Sequence, residues 1–342
     1  MTYSSGSTIL AADFNGFAGP TASGGTANAN LNDVWAVGST DKGWGQTAVA
    51  NPSAPSVVTA ANQWTSLVNN LATAGTQTGT SMTSRTAPVA GNTVTILSAL
   101  NTDLTNLTTN RGNAVASGTE YGTFTGTTSK TTATGAPGSQ TTWTITFQQT
   151  ITFASADAAR YFWNAGGIVR LKYGKSSVTA GDYNDVSWNT LAGQCGSINL
   201  TGRVNSNSQL IAGTTYTGTT RIGGTGGTQT TLATTTGWYN LITSATTIFQ
   251  LNAASSPYTG EYINTVAQTG GTGTQLVLTT TWFQPARAVA GADTNISGGT
   301  ATSSPSTTIT GTAPTVLCTY IPPATTYLTN TWGTPTIACT VT

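Results

Sequence analysis

The chain has 342 residues, a formal net charge of +1, only 6% charged residues and no histidine. Without histidine neither a Ser-His-Asp nor a Cys-His nucleophile can be assembled, and the usual zinc sites of His or clustered Cys are excluded. Eleven basic residues against ten acids make no nucleic-acid-binding face, and no apolar run is long enough to span a bilayer.

Taken in chain order, the strongest helical signals lie in residues 1–115. In VVTAANQWTSLVNNLATAG, Trp64, Leu67, Val68 and Leu71 recur at i, i+3, i+4 and i+7, one apolar face of a helix. Thr59 is the expected N-cap and Gly75 the expected stop. Leu97, Leu100, Leu104 and Leu107 mark a second helix ending at Gly112. These eight residues are the candidate apolar anchors, expected to pack the helices on each other, on a partner chain, or on both. The opposite faces are rich in Asn, Thr and Ser. The N-terminus, MTYSSGSTILAADF, shows no charged segment leading into an apolar one, so no Sec-type signal is expected.

Residues 116–288 read as strand-rich. Trp143, Ile145, Phe147, Ile151 and Phe153 all fall on odd positions, the period-two pattern of a strand or hairpin. A short helix follows in SADAARYFWNAGG, with Ser155 as N-cap, Asp157 in the first turn and Gly166 at its end. GIVRLKY is a strand with Val169, Leu171 and Tyr173 on one face. TAGDYNDVSWNTLAG is a further short helix, and GWYNLI, TTIFQLNA, GEYINTVAQT and QLVLTTTWFQ are later strands. Residues 289–342 form a C-terminal extension with a few strands that complete the fold or clip onto a neighbour. Polar stretches at 21–30, 74–86, 127–140 and 213–236 read as surface loops or linkers. The fold class is therefore mainly β with a few helices. It comprises an N-terminal helical docking region, a central antiparallel sandwich-like domain with helical insertions, and a small β tail.

The motifs that invite chemistry are weak. Gly174-Lys175-Ser176 lacks the upstream glycine of a P-loop, since Val169 stands there; a turn with a solvated lysine is expected. Arg221-Ile-Gly-Gly-Thr-Gly-Gly misses the dinucleotide-binding register at Gln229 and reads as a flexible loop. Asp182 and Asp185, with Asp157 or Glu261 recruited, are the best carboxylates for a glycoside-cleaving pair, but capping and solvation account for them more simply. Tyr161, Phe162, Trp163, Trp188, Trp238, Tyr239 and Trp282 could stack on sugars, although core positions are the expectation for most. Cys195, Cys318 and Cys339 are too widely spaced for a metal ribbon; Cys318 and Cys339 could bridge, and three unbridged thiols is the simpler reading. No enzyme activity, cofactor or metal is expected.

Thr makes up about a fifth of the chain, with 40 Gly, 9 Trp, 11 Tyr and 8 Phe. So many aromatics argue against disorder, and Thr with aromatics favours strands. A weakly charged chain has little colloidal protection when free, which suits life in an assembly.

Several segments, in matching order from end to end, resemble a family of virion structural proteins of tailed bacteriophages, the tail, tail-fibre and collar components. These are ILAADFNGFAGP, GWGQTAV, VTAANQWTSLVNNLATAGTQTGTS, TITFASADAARYFWNAGGIVRL, YTGEYINTVAQT, LVLTTTWFQPA and NTWGTPTI. The sequence departs from the family at Gln77-Thr78-Gly79, where His-Gln-Gly is common, and at Gln284, where an acid is usual. The resemblance implies a subunit assembled in the host cytoplasm into the neck, collar, tail-fibre or baseplate region. Its partners would be copies of itself and other virion proteins, with no nucleic acid and no membrane. A receptor-binding fibre tip or adhesin recognising host-surface glycans is the alternative that the resemblance leaves open.

Overall fold

The computed structural model describes residues 11–20, 29–37, 42–51, 61–87, 89, 97–114, 117, 121–127, 139–140, 143–175, 183–202, 210–211, 214–215, 219–229, 244–253, 259–285, 287–288 and 314–342. Four helices come first: α1 (Ala11–Ala18), α2 (Leu31–Trp35), α3 (Ala61–Thr78) and α4 (Leu97–Asn110). They are followed by β1 (Tyr121–Thr127), β2 (Ser139–Gln140), β3 (Trp143–Thr152), α5 (Ala156–Asn164), β4 (Ile168–Gly174), α6 (Tyr183–Cys195) and β5 (Ser197–Thr201). Next are β6 (Leu210–Ile211), β7 (Thr214–Thr215), β8 (Thr219–Ile222), β9 (Thr228–Gln229) and β10 (Thr246–Asn252). The chain ends with β11 (Tyr262–Gly270), β12 (Gln275–Gln284), β13 (Arg287–Ala288), β14 (Thr315–Ile321) and β15 (Thr336–Val341).

Two antiparallel sheets carry the fold. One has the order β1-β14-β4-β5-β8 and the other β15-β3-β12-β11-β10-β9. They face one another: Tyr173 on β4 shares a 2.7 Å hydrogen bond with Thr265 on β11, and Gln149 on β3 donates to the carbonyl of Val316 on β14 at 2.9 Å. Along one side β1 lies against β15, and along the other the loop 223–227 turns from β8 into β9. The architecture is mainly β with a few helices, as the residue patterns predict. The stretch 289–342 contributes more than an edge, because β14 sits between β1 and β4.

Period-two alternation drives the larger sheet. On β12, Leu276, Leu278, Thr280, Trp282 and Gln284 are buried in strict alternation. On β3, Ile145, Phe147 and Ile151 point inward with Gln149 among them; the side chain of Trp143 lies outside the described residues. Two inward threonines, Thr265 and Thr280, bond each other at 3.0 Å. With Tyr173 they form a satisfied hydroxyl chain, which is the condition for burying such groups cheaply. GWYNLI and Thr59 lie outside the described residues.

Helix α5 behaves as its sequence predicts. Ser155 Oγ accepts from Ala158 N at 3.0 Å, Asp157 occupies the first turn, and Gly166 follows at φ +106°. Other boundaries differ. Helix α3 runs through Gly75 to Thr78 and stops at Gly79, where φ is +64°. Gly75 is tolerated inside the helix because Met82 packs where a Cβ would stand. The stretch 74–86 is thus no surface loop at its start: Ala74, Gly75, Gln77 and Thr78 are buried. Short helices α1 and α2 carry too few turns to show a period.

The apolar faces of α3 and α4 close on the chain's own core. Trp64, Leu67, Val68, Leu71, Leu100, Leu104 and Leu107 are all buried, with Trp64 meeting Phe14 edge to face at 5.1 Å. The side chain of Leu97 lies outside the described residues. Of the two destinations expected for these anchors, the protomer's own interior takes them, because α1 and α2 supply the missing apolar partners. Leu104→Ala should cost about 2–5 kcal/mol, while Thr105→Ala, one residue on and exposed, should stay within about 0.5 kcal/mol. Urea unfolding of the two variants checks the contrast.

Candidate functional site

With few charges to use, the chain ties its parts together through side-chain amides. Asn32 on α2 donates to the carbonyls of Gly19 and Val49 at 3.3 and 3.0 Å and accepts from Val49 N at 2.9 Å. Gln46 donates to Thr329 O at 3.0 Å and accepts from Thr329 N at 2.8 Å, so one side chain imitates a paired strand. Gln77 donates to Ala165 O at 3.3 Å, and Asn164 to Gly43 O at 3.1 Å. These bonds dock the N-terminal helices onto α5 and onto the loop before β15.

Arginine adds one further pin. Arg160 on α5 is buried and donates to Val37 O at 2.7 Å and to Asp157 at 2.9 Å. Gly45, at φ +74°, lies flat on the Tyr161 ring, where a Cβ would collide. Asp103 on α4 accepts from Thr83 N at 2.9 Å and pairs with Arg85, both carboxylate and guanidinium being buried. It therefore holds the strap after α3 against α4.

The outer faces of α3 and α4 form the most unusual surface. The two helices contain a single charged residue, the buried Asp103. Exposed positions are Asn62, Thr65, Ser66, Asn69, Ala72 and Thr76 on α3, and Ser98, Asn101, Thr102, Thr105, Asn106 and Thr109 on α4. Hydroxyls of Thr65, Ser66, Thr73 and Thr76 donate to the carbonyl four residues earlier at 2.9–3.1 Å. Thr102, Thr105 and Thr109 do the same at 2.9–3.2 Å. Each donor proton is satisfied inside its own helix. What remains outward is methyl groups, amides and acceptor lone pairs, a surface that can be covered without stripping water from an ion.

Among the described residues Asp157 and Glu261 are not brought together. Glu261 is fully buried and accepts from Ser187 at 2.7 Å. Asp157 is largely exposed on α5, which packs beside the turn after β11, whereas Glu261 precedes that strand. Asp182 and the side chain of Asp185 lie outside the described residues. Lys175 departs from expectation: it is 5% exposed rather than solvated, carried inward at the end of β4. Residues 223–227 are an exposed corner joining the sheets. Phe162, Trp163, Trp188 and Trp282 are core residues; Trp238 and Tyr239 lie outside the described residues. Among the described residues no group of three or more Cys, Asp or Glu could hold a metal, and no helix is long and apolar enough to cross a membrane.

All three cysteines are free. Burial pushes the thiols of Cys195 and Cys318 far up, and that of Cys339 up. Burial likewise raises the Tyr173 phenol far above its usual value.

The amide joints could not be read in advance, because a buried Gln or Asn has no period of its own. The one hint was Gln149, a polar residue on the inward register of β3. Comparison with family models, with curated proteins and with solved structures finds no match.

Two outcomes follow. Gln46→Leu keeps the bulk but orphans the backbone of Thr329, and should lose about 1–3 kcal/mol. It should also speed proteolysis within 322–335, read by limited digestion. Below the ordinary thiol value of 9.0 folded and unfolded chains both keep their thiol protons. Above it the unfolded chain releases them while the folded chain holds them, so stability must fall as pH rises. A urea midpoint that is flat from about pH 6 to 8 and drops above about pH 9 is expected, with a shallower drop in Cys195→Ala.

Proposed function

We propose that the chain is a non-enzymatic structural subunit of a tailed-bacteriophage virion, placed in the neck, collar, tail-fibre or baseplate region. It would assemble with copies of itself and attach to other virion proteins, having folded in the host cytoplasm. The sequence resemblance supplies the class. The observation that carries the reading is the uncharged outer face of α3 and α4, where seven hydroxyls bond back to their own helices.

Such a face suits permanent contact. Covering an ion costs several kcal/mol unless a partner charge is placed against it. Covering back-bonded Thr and Asn needs only shape and a few amide hydrogen bonds. The rest of the molecule is consistent with mechanical work: its buried polar groups act as joints between layers. The burial of Phe162, Trp163, Trp188 and Trp282 takes four of the seven candidate aromatics out of a sugar-stacking role, which favours scaffolding over glycan recognition.

Gold-labelled antibody against the purified chain should decorate one defined zone of intact phage particles in electron micrographs. The isolated chain should run as a homo-oligomer in light scattering, and Thr65→Asp with Thr105→Asp should shift it toward monomer without lowering the unfolding midpoint by more than about 0.5 kcal/mol. Unlabelled particles together with a strictly monomeric chain would overturn the reading.

A further inference from the structure

One of the side-chain contacts that join the two sheets, the reach of Gln149 to β14, has two thiols beside it. Cys339 on β15 is paired across the strand with Gln149 on β3, and directly paired residues share a face with Cβ atoms about 5 Å apart. Gln149 reaches across the sandwich to Val316 O on β14 at 2.9 Å. Cys318 lies two residues further along β14, on the same inward face as Val316; both are fully buried. The flanking residues converge too. Ile337, Cys339 and Val341 pack against the core cluster that contains Val316 and Cys318, and β1, which pairs with β14 at Cys318, lies along β15. The two thiols are close enough for the charge of one to be felt by the other.

We propose that Cys318 and Cys339 are a modification site: an inter-sheet thiol pair that a disulfide oxidant converts into a bridge tying β14 to β15. Cys339 is the half-buried member and Cys318 the fully buried one, which sets the order of events. The Cys339 thiolate attacks one sulfur of the oxidant; that S–S bond breaks, and one oxidant thiol leaves. The Cys318 sulfur then attacks Cys339 Sγ in the mixed disulfide, its proton passing to the departing oxidant thiolate, and the second oxidant thiol leaves. Two cysteines are oxidised and one oxidant disulfide is reduced to two thiols. Reduced in the compartment of synthesis and exposed to oxidant outside it, the pair would lock the sandwich after assembly rather than before. Cys195, the buried last residue of α6, has no part in it.

The test is incubation of the folded full-length chain with oxidised glutathione, followed by thiol titration in denaturant and intact mass. The expected result is a fall from three titratable thiols to one, a mass loss of about 2 Da and a single linked peptide pair containing Cys318 and Cys339. The melting temperature of the oxidised chain should rise by about 5 °C or more. Cys339→Ser, a near-isosteric change at a half-exposed site, should abolish both effects while melting as the reduced parent does. Cys195→Ser should retain them. Three persistent thiols, a stable glutathione adduct on Cys339 beside a free Cys318, or a covalent dimer through Cys339 would each overturn the proposal, and none bears on the virion assignment.

Discussion

A chain with 6% charged residues must hold its layers together without relying on ions, and that constraint shapes the molecule. Backbone carbonyls and amides left over at helix ends and loop crossings still need partners once buried. Here Asn32, Gln46, Gln77, Gln149 and Asn164 provide them. A primary amide is suited to the task. It donates and accepts at once, carries no Born penalty, and can stand in for one rung of a strand ladder, as Gln46 does with Thr329. Ion pairs pin a loop at Asp103 and Arg85 and at Asp33 and Lys42, whereas Arg160 and Asp157 pair within α5.

Helix α5 takes two of these joints, Gln77 at Ala165 and Asn164 at Gly43. Its N-cap and terminal glycine fix its length, its inner face packs Phe162 and Trp163 at a tilt on Phe153, and its outer side receives Gly43, Gly45 and Val37 through Asn164, Tyr161 and Arg160. The segment TITFASADAARYFWNAGGIVRL is thus the piece that joins helical cap and sandwich. The GWGQTAV segment is its counterpart. Conformation, close approach and an amide clasp all fall within those few residues.

Much of this fold could be read from residue spacing. The i, i+3, i+4, i+7 face of α3, the odd-position run on β3 and the capped outline of α5 each name one conformation. Other features could not be read because their cause is a packing contact rather than a period. Gly75 lies inside α3 where Met82 packs so closely that a Cβ would collide. Lys175 is buried because β4 carries it there. The aliphatic anchors were identified by type and position, but their destination depended on α1 and α2, which are too short to announce themselves. The outward threonines were visible as composition. Their commitment to backbone carbonyls is a matter of rotamer, which sequence does not record.

The position of β14 bears on when this protein can fold. β1 joins its sheet only through β14, and β14 pairs with β4 across some 140 intervening residues. Gln46 likewise waits for Thr329, 283 residues downstream. Pairings of such sequence separation form slowly. During synthesis β1 and β4 emerge well before β14, so the smaller sheet cannot close until 315–321 has left the ribosome. Completion of that sheet is therefore a late event. A strand made near the end thus stands between two made much earlier, and a chain cut short before 315 leaves β1 and β4 without their shared partner.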